Sequence, residues 1–299
     1  MTKESVDKYT GVINVYKEKG WTSHDVVGKL RRILGMKRIG HTGTLDPQVE
    51  GVLPICVGRA TRIAEYIQDR GKCYRAIMRL GLSTTTQDME GEMIRQSEYI
   101  PSRSELEDAI EGFRGVIQQI PPMYSAVHVN GVRLYELARR GIEVDRPARE
   151  VTIYSLEPLD YEYPLFQFDC CCSKGTYIRT LCHDLGEKLG SLGAMQELVR
   201  TSSGPYQLKG AKTLSEIESI VESGGVDFLM PMESALDHFD AIHCLDEDFK
   251  KITNGETIEL PEATAPKLYR VYCKGLFIGV GEVPGNGNTS ILRIRKMLL

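Results

Sequence analysis

The sequence predicts an α+β fold: a central mixed, mainly antiparallel sheet flanked by helices, followed by a small C-terminal β module. Three observations carry that reading. Apolar segments of period two and of period 3.6 alternate from residue 11 to about residue 222. From about residue 239 the pattern changes to short alternating strands separated by Asn/Gly turns. No apolar run approaches the roughly 20 residues of a membrane span.

Residues 11–16, GVINVY, read as the first strand, and SHDVVGKLRRIL as a helix with Ser23 as its N-cap. Val26, Val27, Leu30, Ile33 and Leu34 fall at helical spacing and form its core face. MKRIGHTGTLDPQVEG reads as a loop, with several glycines, one proline and neither apolar period. VLPICVG resumes as a strand, ATRIAEYIQ as a short helix and KCYRAIMRLG as a strand. Residues 83–100 are polar and irregular. Ser102 and Glu105 form a capping box that opens SELEDAIEGF. Residues 121–149 hold paired prolines, a VNG turn, the short helix LYELARR and five arginines. Two strands follow, REVTIYSLEPL and LFQFDCCCSKG, then the helix TYIRTLCHDLGEKL and the strand GAMQELVRTSSG. Thr213 and Glu216 cap LSEIESIVE. FKKITNGETIEL, KLYRVYCKGLFIGVGEV and SILRIRKMLL complete the chain as strands. The expected division is 1–238 and 239–299.

Hydrophobic residues make up 41% of the 299 and charged residues 26%, which excludes a disordered chain or a fibre. The N-terminus is polar and lacks a signal peptide's apolar core, so the chain reads as cytoplasmic. The eight cysteines show no CxxC pair and no zinc-finger spacing, and read as reduced, mostly buried thiols. Along the run 170–172, alternation sends Cys171 to one face and its neighbours to the other. The net charge of −4 is unevenly spread. Residues 1–80 carry 15 Lys+Arg against 8 Asp+Glu, and the remainder is acidic. One basic face on an acidic body suits a polyanionic partner.

The loop IGHTGTLDPQVEG concentrates the chemistry. Pro47 biases Asp46 towards an extended conformation. Gly40, Gly43 and Gly51 permit sharp turns and close backbone approach. His41 and Thr44 add polar groups. Two readings fit: a rigidly presented carboxylate beside a histidine, or a capped structural turn. KGTYIR at 174–179 supplies an aromatic ring and a guanidinium at a helix start, and GKCYRA places Tyr74 on a strand among basic residues. Either tyrosine alone could equally be a half-buried core aromatic.

Taken in order, GHTGTLDPxxxGVLPI, KxYxAxxxLG, PPxYSAxxxxGxRLYELAR and KGTYIRTL resemble the bacterial tRNA pseudouridine synthases of the TruB family. The resemblance runs from Gly11 to the C-terminal module. It implies the pseudouridine synthase fold, and isomerisation of the uridine at position 55 in the T-loop of tRNA. Residue by residue, it implies Asp46 as the catalytic aspartate, Tyr74 as the tyrosine stacking on the target base and Arg179 as the partner of the aspartate. His41 would enter the space left by the extruded nucleotide, and Tyr177 and Leu198 would touch that nucleotide. Lys17, Gly43 and Thr44, within the shared motifs, are expected to bind substrate. Residues 121–149 match a thumb-like insertion that closes on the T-arm, and the C-terminal module resembles a PUA-type RNA-binding barrel. The implied partner is tRNA, with no cofactor, metal, membrane or obligatory protein partner, and a monomer is expected. Val49-Glu50, His128 and Glu18 depart from the family pattern, away from the aspartate, tyrosine and arginine.

This chemistry needs one nucleophilic carboxylate, which can act at C1′, at C6 of the base or by starting elimination at C2′. No water attacks, so the two-carboxylate arrangement of a glycosidase is unnecessary. Three competitors remain at this point: an RNA-binding or tRNA-folding protein, a guide-dependent synthase of the dyskerin type, and a metal-dependent hydrolase using His41 and Asp46.

Overall fold

The computed structural model describes residues 9–129, 131–261, 264–285 and 290–299. The polar N-terminal stretch 1–8, Asn130 of the VNG turn and the Asn/Gly turn at 286–289 lie outside the described residues.

A ten-stranded sheet forms the body. Its strands are β1 (Gly11–Lys17), β2 (Ile39–His41), β3 (Glu50–Val57), β4 (Lys72–Leu80), β7 (Gly115–Gln119), β10 (Arg149–Glu162), β11 (Leu165–Cys172), β12 (Gly193–Ser203), β13 (Tyr206–Gln207) and β14 (Leu229–Met230). The order across the sheet is β14-β1-β3-β12-β4-β11-β10-β7, with β2 on β3 and β13 on β12. Every pairing is antiparallel except β3 with β12. Two small hairpins lie outside it: β5 (Leu82–Thr84) with β6 (Met93–Gln96), and β8 (His128–Val129) with β9 (Val132–Arg133).

The main core lies between this sheet and helices α1 (Ser23–Leu34), α3 (Arg103–Glu111), α5 (Ile178–Leu189) and α6 (Leu214–Glu222), and its largest side chains include Ile13, Leu30, Leu53, Ile55, Phe166 and Phe168. Val26, Val27, Leu30 and Leu34 are buried along α1 and Ile33 is partly buried, as the spacing requires. A second apolar cluster joins the short helix α2 (Ala64–Gln68) and its preceding turn to the C-terminal sheet through Ile63, Ile67, Val280 and Leu298. Beside it Arg62 donates to the Met297 carbonyl (2.6 Å) and Lys296 pairs with Glu65 (3.1 Å). Among the described residues of 121–149 a single short helix, α4 (Leu134–Ala138), follows β9.

The C-terminal sheet has the order β15-β17-β18-β19-β16. It comprises β15 (Asp240–His243), β16 (Ile258–Glu259), β17 (Leu268–Cys273), β18 (Leu276–Glu282) and β19 (Ile291–Met297) around its own core.

Several expectations are corrected. The N-cap of α1 is Thr22, not Ser23: Thr22 and Asp25 exchange the reciprocal bonds of a capping box. The first part of the loop, 39–41, is a short strand on β3. Residues Phe249–Thr253 form a helix, α7, because Phe249 and Ile252 turn one face onto the C-terminal core. The eight thiols are not all reduced. Cys73 and Cys171 stand directly opposite on β4 and β11, with Cα atoms 4.0 Å apart, and are joined in a disulfide. Cys170 and Cys172 point to the other face and are buried and free.

Candidate active site

The loop between β2 and β3 is pinned at alternate residues. Thr42 is buried and donates from both its amide and its hydroxyl to the Pro54 carbonyl (3.1 and 3.0 Å). Leu45 is buried, and its amide donates to the Ser23 hydroxyl (2.9 Å), so the residue expected to cap α1 instead ties α1 to the loop. The Val49 amide closes a turn on the Asp46 carbonyl (3.0 Å), with Pro47 at its second position. Gly20 donates to the Pro47 carbonyl (2.9 Å). Between these anchors Asp46 remains presented, with its side chain 48% exposed. Gly51 ends the loop at φ +110°, and a Cβ there would lie 2.3 Å from the Arg200 carbonyl. Only glycine lets β3 approach β12 this closely.

Arg179 comes from the first turn of α5 and is 8% exposed. Its Nη2 reaches Asp46 Oδ2 (3.1 Å) and donates to the Tyr124 carbonyl (2.8 Å). Its Nη1 donates to the Thr86 carbonyl (3.2 Å) and to Asp88 Oδ2 (3.4 Å). The guanidinium is therefore shared between two carboxylates and two carbonyls. Asp46 faces one nitrogen of a guanidinium that its bonds to Thr86, Asp88 and Tyr124 hold in place. Asp88 lies in the polar stretch after β5, held by the Thr86 hydroxyl and by the Met195 amide bonding the adjacent Gln87 carbonyl.

The floor is the centre of the sheet. Tyr74 on β4 is half-buried, packs on the core and stands opposite Arg200 of β12. Burial pushes its phenol up, with the Arg200 charge pulling the other way, so at neutral pH it is a neutral phenol. Arg200 is 2% exposed and donates from Nε to the Val52 carbonyl (2.7 Å). Its Nη2 is buried without a hydrogen-bond partner among the described residues. Its Nη1 lies 3.7 Å from where a Cβ on Gly43 would stand. Thus one buried cation touches both the loop and the Tyr74 strand.

Leu198 is buried opposite Ala76, on the same pair of strands. Tyr177 is half-buried just before α5, and the Gln119 side-chain amide clamps its backbone, accepting from its amide (2.8 Å) and donating to its carbonyl (3.0 Å). Gly43 and Thr44 lie on the exposed side of the loop's bend. Burial is the main influence lowering the pKa of His41, with the charges of His24 and Arg200 adding to it, so its ring is neutral near pH 7.

The expectation for Lys17 is corrected. Its ammonium is fully buried and donates to the carbonyls of Trp21 (2.7 Å), Glu18 (3.1 Å) and Pro47 (3.1 Å). All three donors are spent inside the protein, so Lys17 positions the loop and leaves no donor for substrate. Burial brings it down to about 8, with Asp46 and Glu50 opposing. Burial, with the Glu50 carboxylate beside it, pushes the Tyr16 hydroxyl up to about 12; Glu50 is one of the departures from the family pattern.

The structure thus brings Asp46 and Arg179 into contact and sets Tyr74, Leu198, Gly43 and His41 around Arg200. Sequence reasoning missed Asp88, Gln119 and Arg200. Asp88 sits in a run without periodicity. Arg200 reads as one of many strand charges, and only its cross-strand position reveals its burial.

Two family models match the chain: the TruB family pseudouridylate synthase N-terminal domain over residues 31–178, and the tRNA pseudouridylate synthase B C-terminal domain over residues 179–237. The tRNA pseudouridine synthase B of Clostridium perfringens is 44% identical over 298 residues, covering 97% of this chain and 99% of that protein. Its counterpart from Streptococcus pneumoniae is 51% identical over 259 residues, covering 84% and 89%. A chain of a solved Cbf5-Nop10-Gar1 complex superimposes with a TM-score of 0.78 at 27% identity, covering 98% of this chain and 87% of that one. A chain of an H/ACA RNP bound to a substrate RNA containing 2′-deoxyuridine gives 0.75 at 25% identity, covering 100% and 88%.

Proposed function

The chain belongs to the TruB family of pseudouridylate synthases and isomerises uridine to pseudouridine in tRNA, and from that premise we propose that its target is the T-loop uridine and that Asp46 is the nucleophile. The observation that carries this reading is the Asp46–Arg179 pair: an exposed carboxylate held at 3.1 Å by a buried guanidinium.

The reaction breaks the N1–C1′ bond, turns the base and forms a C5–C1′ bond. A proton leaves C5 and N1 gains one, so the atoms balance without a co-reactant. Arg179 holds the carboxylate in place and supplies no proton. Tyr74 offers the detached uracil a flat face, and base–aromatic stacking is worth about 1–3 kcal/mol. Its hydroxyl, a neutral phenol beside the Arg200 charge, relays the C5 proton to solvent, handing its own proton to a water as it takes that one. Tyr177 and Leu198 complete the wall of the base pocket.

A T-loop uridine is buried in folded RNA and must be taken out of its stack first. His41, neutral and half-buried at the end of β2 where the pinned loop begins, fills the space it leaves. Arg133, Arg139 and Arg140 of the 121–149 segment contact backbone phosphates, and the C-terminal sheet acts as a PUA-type RNA-binding module. The chain acts alone, as a monomer, because its own inserted segment takes the place of guide and partner.

The test is to incubate the purified chain with an unmodified tRNA transcript and map pseudouridine by carbodiimide adduct and primer extension. A single stop at the T-loop uridine is expected. Asp46→Asn should retain tRNA binding and lose roughly 10⁴-fold or more in turnover, as losing a nucleophile does. Wild-type turnover in that variant refutes the nucleophile, and binding without any stop points to a guide-dependent enzyme.

A further inference from the structure

Helix α1 and the residues just before it form an open groove of about 360 Å³ lined by Gly20, Trp21, His24, Asp25, Gly28 and Arg32. We propose that this groove is a subsite for a nucleotide of the substrate RNA outside the target uridine, its base against Trp21 and its phosphate on Arg32 and His24. The inference rests on the tRNA-modifying activity proposed above.

Gly28 is the first argument. It lies inside a twelve-residue helix, where glycine is about 1 kcal/mol worse than alanine. A Cβ there would meet nothing within 4 Å. The chain's own packing therefore does not demand the glycine, and its absence of a side chain keeps the groove floor open to something else. Close approach of a ligand backbone is such a use.

Trp21 is the second. It is the only tryptophan in the chain, and it packs one side on the core while the other lines the groove. A large aromatic left half-exposed beside a basic surface is what a base stacks on.

Charge is the third. Arg32 is exposed, with no ion pair or hydrogen bond among the described residues. His24 is exposed and lines the groove. The acidic member, Asp25, is occupied by the Thr22 cap. The volume sits at the low end of small-ligand sites, about 300–1,000 Å³, which suits one nucleotide rather than a duplex.

Continuity with the catalytic loop is the fourth. The Lys17 ammonium bonds the carbonyls of both Trp21 and Pro47, and Gly20 bonds Pro47 as well. Groove and Asp46 loop are thus tied to each other by these bonds.

The single tryptophan makes the test direct. Asp46→Asn protein is titrated with unmodified tRNA transcript while acrylamide quenching of Trp21 emission is followed, and retention on nitrocellulose reports binding independently. Saturating transcript should cut the quenching constant at least twofold. Gly28→Leu, a substitution that favours the helix and fills the groove, should lose about tenfold in kcat/KM, carried by KM. Arg32→Ala should lower the salt slope of binding by about one. If the transcript binds and is modified, yet quenching is unchanged and Gly28→Leu keeps a wild-type KM, the subsite is refuted and the activity stands. If the transcript is not retained at all, the reading of the activity fails and the subsite falls with it.

Discussion

Two buried arginines bracket the site, and they are treated in opposite ways. Arg179 divides its donors among Asp46, Asp88 and the carbonyls of Thr86 and Tyr124. Arg200 has Nε on the Val52 carbonyl and an Nη2 buried with no partner among the described residues. A fully satisfied buried cation is a fixed mount, whereas an under-satisfied one is costly to the fold and is retained where its field is used. The contrast teaches that Arg179 holds the nucleophile and Arg200 conditions the surface against which the base turns.

Substitutions can break or sharpen this contrast. The largest effect is expected at Arg179. Arg179→Lys keeps the charge but cannot span four acceptors, and kcat should fall roughly 10²–10³-fold with tRNA binding retained. Near-normal single-turnover rates in that variant would reduce Arg179 to a structural residue.

Tyr74→Phe comes next. It keeps the ring and removes the hydroxyl that relays the proton, so it should cost about 10²-fold in kcat with little change in KM. A rise in KM alone would mean that the hydroxyl binds rather than reacts.

Arg200→Met separates the two arginines by stability. Replacing a buried charge with an apolar side chain of similar volume is often neutral or stabilising, by about 1–4 kcal/mol. The variant should melt at or above the wild-type temperature while turnover drops roughly tenfold. A fall in both would make Arg200 part of the scaffold, like Arg179's mount.

The smallest effect concerns another buried cation, Lys17. Lys17→Met leaves buried carbonyls unpaired and should cost about 1–3 kcal/mol. Folding lowers Lys17 from 10.5 to about 8. Between those values the folded protein has released a proton that the unfolded chain still holds, so this group makes stability rise with pH. The stability difference between wild type and Lys17→Met should therefore widen from pH 8 towards 10.5 in urea unfolding. A difference independent of pH would show that burial does not depress this lysine.

What the sequence made legible was local. Ser102/Glu105 and Thr213/Glu216 form the capping boxes their three-residue spacing announces. The same spacing in Thr22/Asp25 was the cue for the true start of α1, hidden by the neighbouring Ser23. The strand 39–41 was too short and too polar to show a period, and it exists because β3 offers an edge. FKKIT reads as a strand only by its place among strands, and it becomes helical because Phe249 and Ile252, three residues apart, both turn onto the C-terminal core.

The candidate site divides the same way. The Asp-Pro turn, its flanking glycines and the order of the motifs are properties of neighbouring residues, and the sequence by itself determined them. Which residues meet was decided by the tertiary structure alone. Strand register sets Arg200 beside Tyr74 and Cys73 opposite Cys171, and the packing of α5 brings Arg179 onto both Asp46 and Asp88. The reason is physical. Caps and turns are selected by bonds a few residues apart, whereas the burial of a charge depends on partners scores of residues away, which only the closed sheet brings together.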